Sequence, residues 1–229
     1  MTDKRVLLFS GGIDSLVSWE FLDRPKCVYF DLKVDYSERE KVAVRTLVPN
    51  VIIDNSLNMS ERQQRGHLAI IPYRNLLMAI QATKYGDNVF IGGLADDIMK
   101  DNGPAAYASM EIILNHLSET HQNFSVRGGL PGSMTKSQAV GWFLRYSKFK
   151  DPVYTLVKHS VSCYSTESNY CGRCKSCFRK WLALRVNGID ILEYDKDAMQ
   201  YHVKHMFEGS CHPDLVFEAE RYAVPYMKG

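Results

Sequence analysis

Short runs rich in β-branched and aromatic residues recur along this chain, each separated from the next by a stretch with helical spacing. The runs fall at 6–9, 26–31, 51–54 and 88–92. They are apolar nearly throughout, as strands covered on both faces are, and do not alternate with polar residues. Strand–helix–strand alternation of this kind predicts a parallel sheet with crossover helices on both faces. A fifth strand reads at 124–126, so the fold class expected is α/β, a doubly wound parallel five-stranded sheet. Ligands then bind at the carboxyl ends of the strands.

The first strand end carries Ser10-Gly11-Gly12-Ile13-Asp14-Ser15, followed by helical spacing over 16–22. Adjacent glycines let the backbone take positive φ and approach a ligand closely. Amides of the turn and of the helix N-terminus converge there, and with the helix dipole they make an anion site. Ser10 and Ser15 add hydroxyls. Asp14 repels a phosphate on its own, but fits if magnesium lies between carboxylate and phosphates. A bare Gly-Gly would read as an ordinary turn with Asp14 or Ser15 capping the helix. The full sextet, directly after a strand, favours a phosphate site. The spacing is not that of a Walker A loop.

Further residues gather at the same edge of the sheet. Ser37 and Glu40 fit a capping box for a helix over 38–48 whose apolar side is Val42, Val44 and Leu47. The polar stretch 55–69, with Arg62 and Arg65, reads as a functional or a solvated loop. Arg74 and Asn75 open a helix over 76–85, where Arg74 suits a phosphate, a carboxylate or plain solvent. Gly92-Gly93 admit close approach of backbone or ligand. Asp96, Asp97 and Asp101 follow, able to bind metal, a substrate amine or a proton, with at least one read as a plain loop or cap residue. A helix over 104–120 is expected to turn Ile112, Ile113 and Leu117 inward. Thr135 caps a helix bearing Ala139, Val140, Trp142, Phe143 and Leu144. Lys136 in its first turn opposes the dipole, which suggests that it meets an anion. Residues 153–157 read as extended.

Four of the six cysteines lie close together: Cys163, Cys171, Cys174 and Cys177, spaced C-x7-C-x2-C-x2-C. Clustered cysteines in a reducing compartment indicate metal more often than disulfide. Four thiolates, with Cys163 supplied by the preceding strand, suit closed tetrahedral zinc. An iron–sulfur cluster or a redox CxxC pair are the other options. Arg173, Lys175, Arg179 and Lys180 are placed to offset the charge. Cys211 and His212 read as ordinary residues, and Cys27 as a small buried hydrophobe. Zinc would pin a C-terminal lobe, giving an α/β segment over 1–157 that carries the phosphate loop and a zinc lobe over 158–229.

The 229 residues, 45% hydrophobic, suffice for one full core with a small lobe. A net charge of +2 is too mild to argue nucleic-acid binding. No signal peptide is read, and no stretch approaches the roughly 18 apolar residues a membrane helix needs. A cytoplasmic protein is expected.

The sextet resembles the SGGxDS PP-loop of the N-type ATP pyrophosphatases. The Cys163-Tyr164 and Cys171-Gly172-Arg173-Cys174-Lys175-Ser176-Cys177 stretches resemble the SCY…CGxCxxC signature of the 7-cyano-7-deazaguanine synthases within that group. Pro72-Tyr73-Arg74-Asn75-Leu76-Leu77, Ile91-Gly92 with Asp97, and Thr135-Lys136-Ser137-Gln138-Ala139-Val140 match further family stretches in order, over about 5–186. Two stretches depart. Asp35-Tyr36-Ser37-Glu38-Arg39-Glu40 stands where the family carries a Y-G-Q-R-H-like run. Residues 98–107 stand where it carries Y-P-D-C-R-P-E-F for its substrate.

The resemblance implies an adenine nucleotide alpha hydrolase-like fold and an ATP-dependent ligase making 7-cyano-7-deazaguanine from 7-carboxy-7-deazaguanine and ammonia. It implies ATP, magnesium and structural zinc. Ser10, Gly11, Gly12, Asp14 and Ser15 would hold the pyrophosphate and its magnesium, with Arg74 and Lys136 as further phosphate contacts. Asp97 and Asp101 would face the deazaguanine or carry a proton, and the four cysteines would hold zinc. The partners implied are small molecules, with no membrane or nucleic acid, and a homodimer is compatible. Alternative readings are a PP-loop enzyme adenylating another acceptor (a tRNA base, or a deazaguanine taken only to the amide) and a zinc-stabilised binding module.

Overall fold

The computed structural model describes residues 4–63, 70–97, 99–118, 123–165, 170–172, 174–190 and 213–222. Strands β1 (Arg5–Leu8), β2 (Lys26–Phe30), β3 (Ile52–Asp54), β4 (Asn88–Ile91) and β5 (Ser125–Gly128) form one sheet. Their order is β3-β2-β1-β4-β5, and every neighbouring pair is parallel. The chain winds outward from β1 through β2 to β3, then returns to the other side of β1 as β4. The order therefore reverses between β1 and β4, and a crevice opens at their carboxyl ends.

Helices α1 (Ile13–Phe21), α2 (Ser37–Leu47), α3 (Arg74–Ala82), α4 (Pro104–Leu117), α5 (Lys136–Tyr146), α6 (Pro152–Tyr154), α7 (Lys175–Val186) and α8 (Pro213–Tyr222) complete the architecture. Strand alternation divides the core in two. Leu7, Phe9, Cys27 and Tyr29 pack with α1, α2, α5 and α7, through Leu16, Val44, Phe143 and Leu184. Val6, Leu8, Val28 and Phe30 pack with α3 and α4, through Ala79, Tyr107, Met110 and Leu114. Both faces are thus covered, which explains the continuous apolar runs. Each fully buried Leu or Phe contributes about 1.5–3 kcal/mol. No helix among the described residues is long and apolar enough to cross a membrane.

Several local expectations are corrected. In α4 the inward residues are Tyr107, Met110 and Leu114, while Ile112 and Leu117 are each 68% exposed and Ile113 also faces outward. Val42 points to solvent, and Ala43, Val44 and Leu47 are the buried face of α2. No capping box forms at Ser37: its hydroxyl accepts from Val34 N at 3.0 Å, and Glu40 turns inward to Tyr29. Residues 153–157 are helical, because Asp151 caps Tyr154 N at 2.9 Å with Pro152 in the first turn. The helix widens into a π-turn over Thr155–His159, closed by Ser160 N on Thr155 O. Cys163 lies on an extended segment outside the sheet, anchored where Val161 N donates to Gly11 O at 2.9 Å. The capping box expected from Thr135 forms with Gln138. Arg65, the Arg173 side chain, Cys211 and His212 lie outside the described residues.

Candidate active site

The turn from β1 into α1 is built on Gly11, whose φ is +76°. A Cβ there would come 2.9 Å from Ala43 Cβ, so glycine is required both by conformation and by α2. No side chain caps α1, whose N-cap is Gly12. Its first-turn amides thus face the crevice without the usual side-chain acceptor. Ser10 and Ser15 bring their hydroxyls within 3.3 Å of each other, and Ser15 donates to Gly12 O at 3.1 Å. Gly92, at the end of β4, lets this turn approach: a Cβ there would sit 3.2 Å from Ser15 N.

A cluster of charges closes one side. Lys136 Nζ lies 2.8 Å from Asp14 Oδ1, and Lys136 N donates to Asp96 Oδ1 at 3.1 Å. Arg179 reaches from α7 to both neighbouring carboxylates, 3.0 Å to Asp96 Oδ2 and 2.6 Å to Asp97 Oδ1. Asp97 Oδ2 accepts from Leu94 N at 3.2 Å and Asn102 Nδ2 at 2.6 Å. Asn102 in turn receives the Tyr107 hydroxyl. Burial works against the Asp97 carboxylate, but Arg179 and Lys136 outweigh it and hold its pKa below the usual range. Burial likewise opposes the charge on Arg179, and Asp97 and Asp96 reverse the effect and raise its pKa. At Asp14 burial wins: the pKa is raised, Asp97 adds to the rise, and Lys136 only partly offsets it. Three carboxylates thus share two cations, and Asp14, though paired with Lys136, is the one whose charge burial still disfavours. A magnesium ion beside it would favour that charge.

The same crevice continues toward β2 as a cavity of 230 Å³. Its far end is walled by Val28, Phe30 and Leu32 and by the rings of Tyr36 and Tyr164, whose centroids are 5.2 Å apart. Glu40 and Arg74 line it there. The Glu40 carboxylate accepts the Tyr29 hydroxyl at 3.1 Å. Burial raises its pKa to about 7, against the lowering pull of Arg74. Burial works against the charge on Arg74, but Tyr36, Tyr164, Asp101 and Glu40 raise its pKa overall.

Of the residues singled out from sequence, Ser10, Gly12, Asp14, Ser15, Arg74, Asp97 and Lys136 line this one cavity. Gly11 shapes its loop from behind. Asp101 is not among the lining residues; its carbonyl accepts from Asn75 Nδ2 at 3.0 Å. The sequence did not point to Glu40, Tyr36 and Tyr164 as lining the cavity, and its reading assigned Arg179 to the cysteines. The swap at Glu40 within the departing 35–40 run was the available signal.

Cys163, Cys171, Cys174 and Cys177 bring their sulfurs within 4.8 Å of one another, all buried, with none in a disulfide. Tetrahedral zinc with bonds of about 2.3 Å needs sulfurs about 3.8 Å apart, which the 4.0 Å between Cys171 and Cys177 approaches. Backbone amides of Ser165 and Cys171 point at Cys163 Sγ from 3.3 and 3.4 Å, and Cys177 N points at Cys174 Sγ from 3.4 Å. Such donors favour thiolates, so the donor set fits a structural metal. Lys175 and Ser176, between two of these cysteines, line the cavity.

Residues 26–188 match the family of the queuosine biosynthesis protein QueC. The 7-cyano-7-deazaguanine synthase of Chlorobium luteolum is 23% identical to the chain over 238 residues, spanning 89% of this chain and 99% of the relative. The 7-cyano-7-deazaguanine synthase 1 of Desulfitobacterium hafniense is 24% identical over 215 residues, 81% of this chain and 93% of the relative. The matched family segment begins after Ser15, so the phosphate reading of the loop rests on its own sequence and geometry. The chain belongs to the QueC family.

Proposed function

Starting from that membership, we propose that the chain is an ATP-dependent ligase converting 7-carboxy-7-deazaguanine and ammonia to 7-cyano-7-deazaguanine. The observation that carries the reading is the continuity of the cavity, from the loop amides and Asp14 to the aromatic slot at Glu40 and Arg74. A carboxylate oxygen and an α-phosphate can meet inside it. The oxygen attacks that phosphorus and pyrophosphate leaves. Ammonia then displaces AMP and loses a proton, giving the amide. A second adenylation on the amide oxygen, followed by loss of AMP and a proton, leaves the nitrile. No protein nucleophile is needed; positioning and charge stabilisation supply the rate.

In this reading Ser10, Gly12, Ser15 and the α1 amides hold pyrophosphate, and Lys136 neutralises charge developing on it. Asp14 would hold magnesium, which would supply positive charge to the phosphates. Arg74 orients the acceptor carboxylate or its phosphate partner. Asp97, which borders the cavity on Arg179, would face the deazaguanine or take a proton from ammonia, and Asp101, outside the cavity lining, would act through the charge of Arg74. The four cysteines would hold zinc in the 158–229 lobe, which serves the ATP-binding segment 1–157 as a brace. We place the enzyme in the cytoplasm.

The test is incubation with ATP, 7-carboxy-7-deazaguanine and ammonium, with AMP, pyrophosphate and deazaguanine products separated by chromatography. Nitrile with twice its amount of AMP supports the full reaction. Equal amounts of amide and AMP would restrict the enzyme to the first half. No acceptor-dependent AMP would overturn the reading.

A further inference from the structure

Three carboxylates line the cavity among the described residues: Asp14, Asp97 and Glu40. Two are already held by cations, Asp14 by Lys136 and Asp97 by Arg179. Glu40 is different: Arg74 lies near enough to pull on its charge but gives its Nε to Asn75, and among the described residues the Glu40 carboxylate accepts one neutral hydrogen bond, from the Tyr29 hydroxyl onto Oε2. It sits at the end of the cavity walled by Val28, Phe30, Tyr36 and Tyr164, a setting that suits a flat ring and penalises a carboxylate lacking donors.

We infer that Glu40 selects the acceptor ring by accepting hydrogen bonds from a ring N–H and its adjacent exocyclic amine, the donor–donor edge of a 2-amino-4-oxo pyrimidine. This rests on the deazaguanine reading of the site and adds the residue that recognises the ring. An ionised carboxylate offers acceptors only, so it matches that edge with both oxygens. A hypoxanthine-type ring lacks the amine and leaves one oxygen facing an apolar wall. Adenine-type rings present an acceptor where Glu40 needs a donor. A site that makes a polar pairing in a dry slot rejects the analogue lacking it. The place of the side chain is set by the fold: α2 puts position 40 one turn in from Tyr36, beside Tyr29 of β2.

The test is titration calorimetry of 7-deazaguanine and 7-deazahypoxanthine against wild type, Glu40→Gln and Tyr29→Phe, with ATP binding measured on each. Wild type is expected to prefer 7-deazaguanine by roughly 10–100-fold. Glu40→Gln, which replaces one acceptor oxygen with a donor, should lose that preference and keep its ATP affinity. Tyr29→Phe, which unfastens the carboxylate without removing it, should fall between the two. Retention of the wild-type ratio by Glu40→Gln overturns the inference. If that variant no longer binds ATP, an unchanged ratio in Tyr29→Phe overturns it instead. Wild type that turns over the carboxylate acceptor while Glu40→Gln discriminates normally rejects Glu40 alone. Wild type that binds neither ring and releases no AMP with the acceptor rejects the wider reading as well.

Discussion

Lys136 Nζ sits 2.8 Å from Asp14 Oδ1, joining two helix N-termini that are 122 positions apart in sequence. Each residue opposes or strains its own setting. Lysine is the wrong charge for the start of α5, and Asp14 is half-buried with a raised pKa. Together they set a cation and a carboxylate beside the loop.

Asp14→Asn removes a carboxylate that burial already disfavours, so the fold should survive. Acceptor-dependent pyrophosphate release should fall by at least about 100-fold, the scale of losing a preorganised charge at a reacting centre. A coupled pyrophosphate assay alongside a thermal melt reads both. A well-folded variant with wild-type release would remove Asp14 from the chemistry.

Arg179 answers two buried carboxylates at once. Arg179→Met should cost about 3–5 kcal/mol, because Asp96 and Asp97 are left charged and unpaired. Asp97 has its pKa lowered in the fold, so its contribution is present above the unfolded pKa and fades as pH falls. The variant's deficit should therefore shrink on acidification. Urea denaturation across pH checks this, and adding Asp97→Asn should recover part of the loss.

Glu40 makes the opposite prediction. Its pKa is raised to about 7 by burial, with Asp31 adding to the rise and Arg74 and Tyr29 opposing it. The folded protein bears a cost for ionised Glu40 that grows between the unfolded carboxyl range near 4.5 and the folded value. Ligand-free Glu40→Gln should melt higher than wild type at pH 8, and the difference should close toward pH 5. Equal offsets at both values would contradict the burial of that carboxylate.

Cys177→Ser leaves three thiolates in a cluster built for four. Metal content by plasma emission should drop below stoichiometry, and the melting temperature should fall by about 10 °C or more. Unchanged metal content and melting would show that the cluster does not hold a structural metal.

The sheet was legible because its strands are buried on both faces and read as unbroken apolar runs. The course of the loop was legible because adjacent glycines directly after an apolar run call for a turn, and Gly11 takes a φ of +76° there. Helix facing was less so. α4 carries apolar residues all round, and periodicity alone did not choose Tyr107, Met110 and Leu114 over Ile112 and Leu117. The segment at 153–157 looked extended from Val153 and Val157, but the cap and the proline just before it decided the matter. Arg179 was hidden for a different reason. Its partners lie some eighty residues away, and a basic residue next to a thiolate cluster has an obvious local use.

Cys177 and Arg179 are neighbours on the first turns of α7, and Lys175 and Ser176 beside them border the cavity. A metal that fixes this turn therefore also fixes the guanidinium on Asp97. By thermodynamic reciprocity, whatever tightens around the nucleotide must tighten around the metal to the same degree. The two occupancies become one linked equilibrium: saturating ATP should lower the fraction of metal that a chelator removes at equilibrium, and a metal-depleted chain should bind ATP correspondingly more weakly.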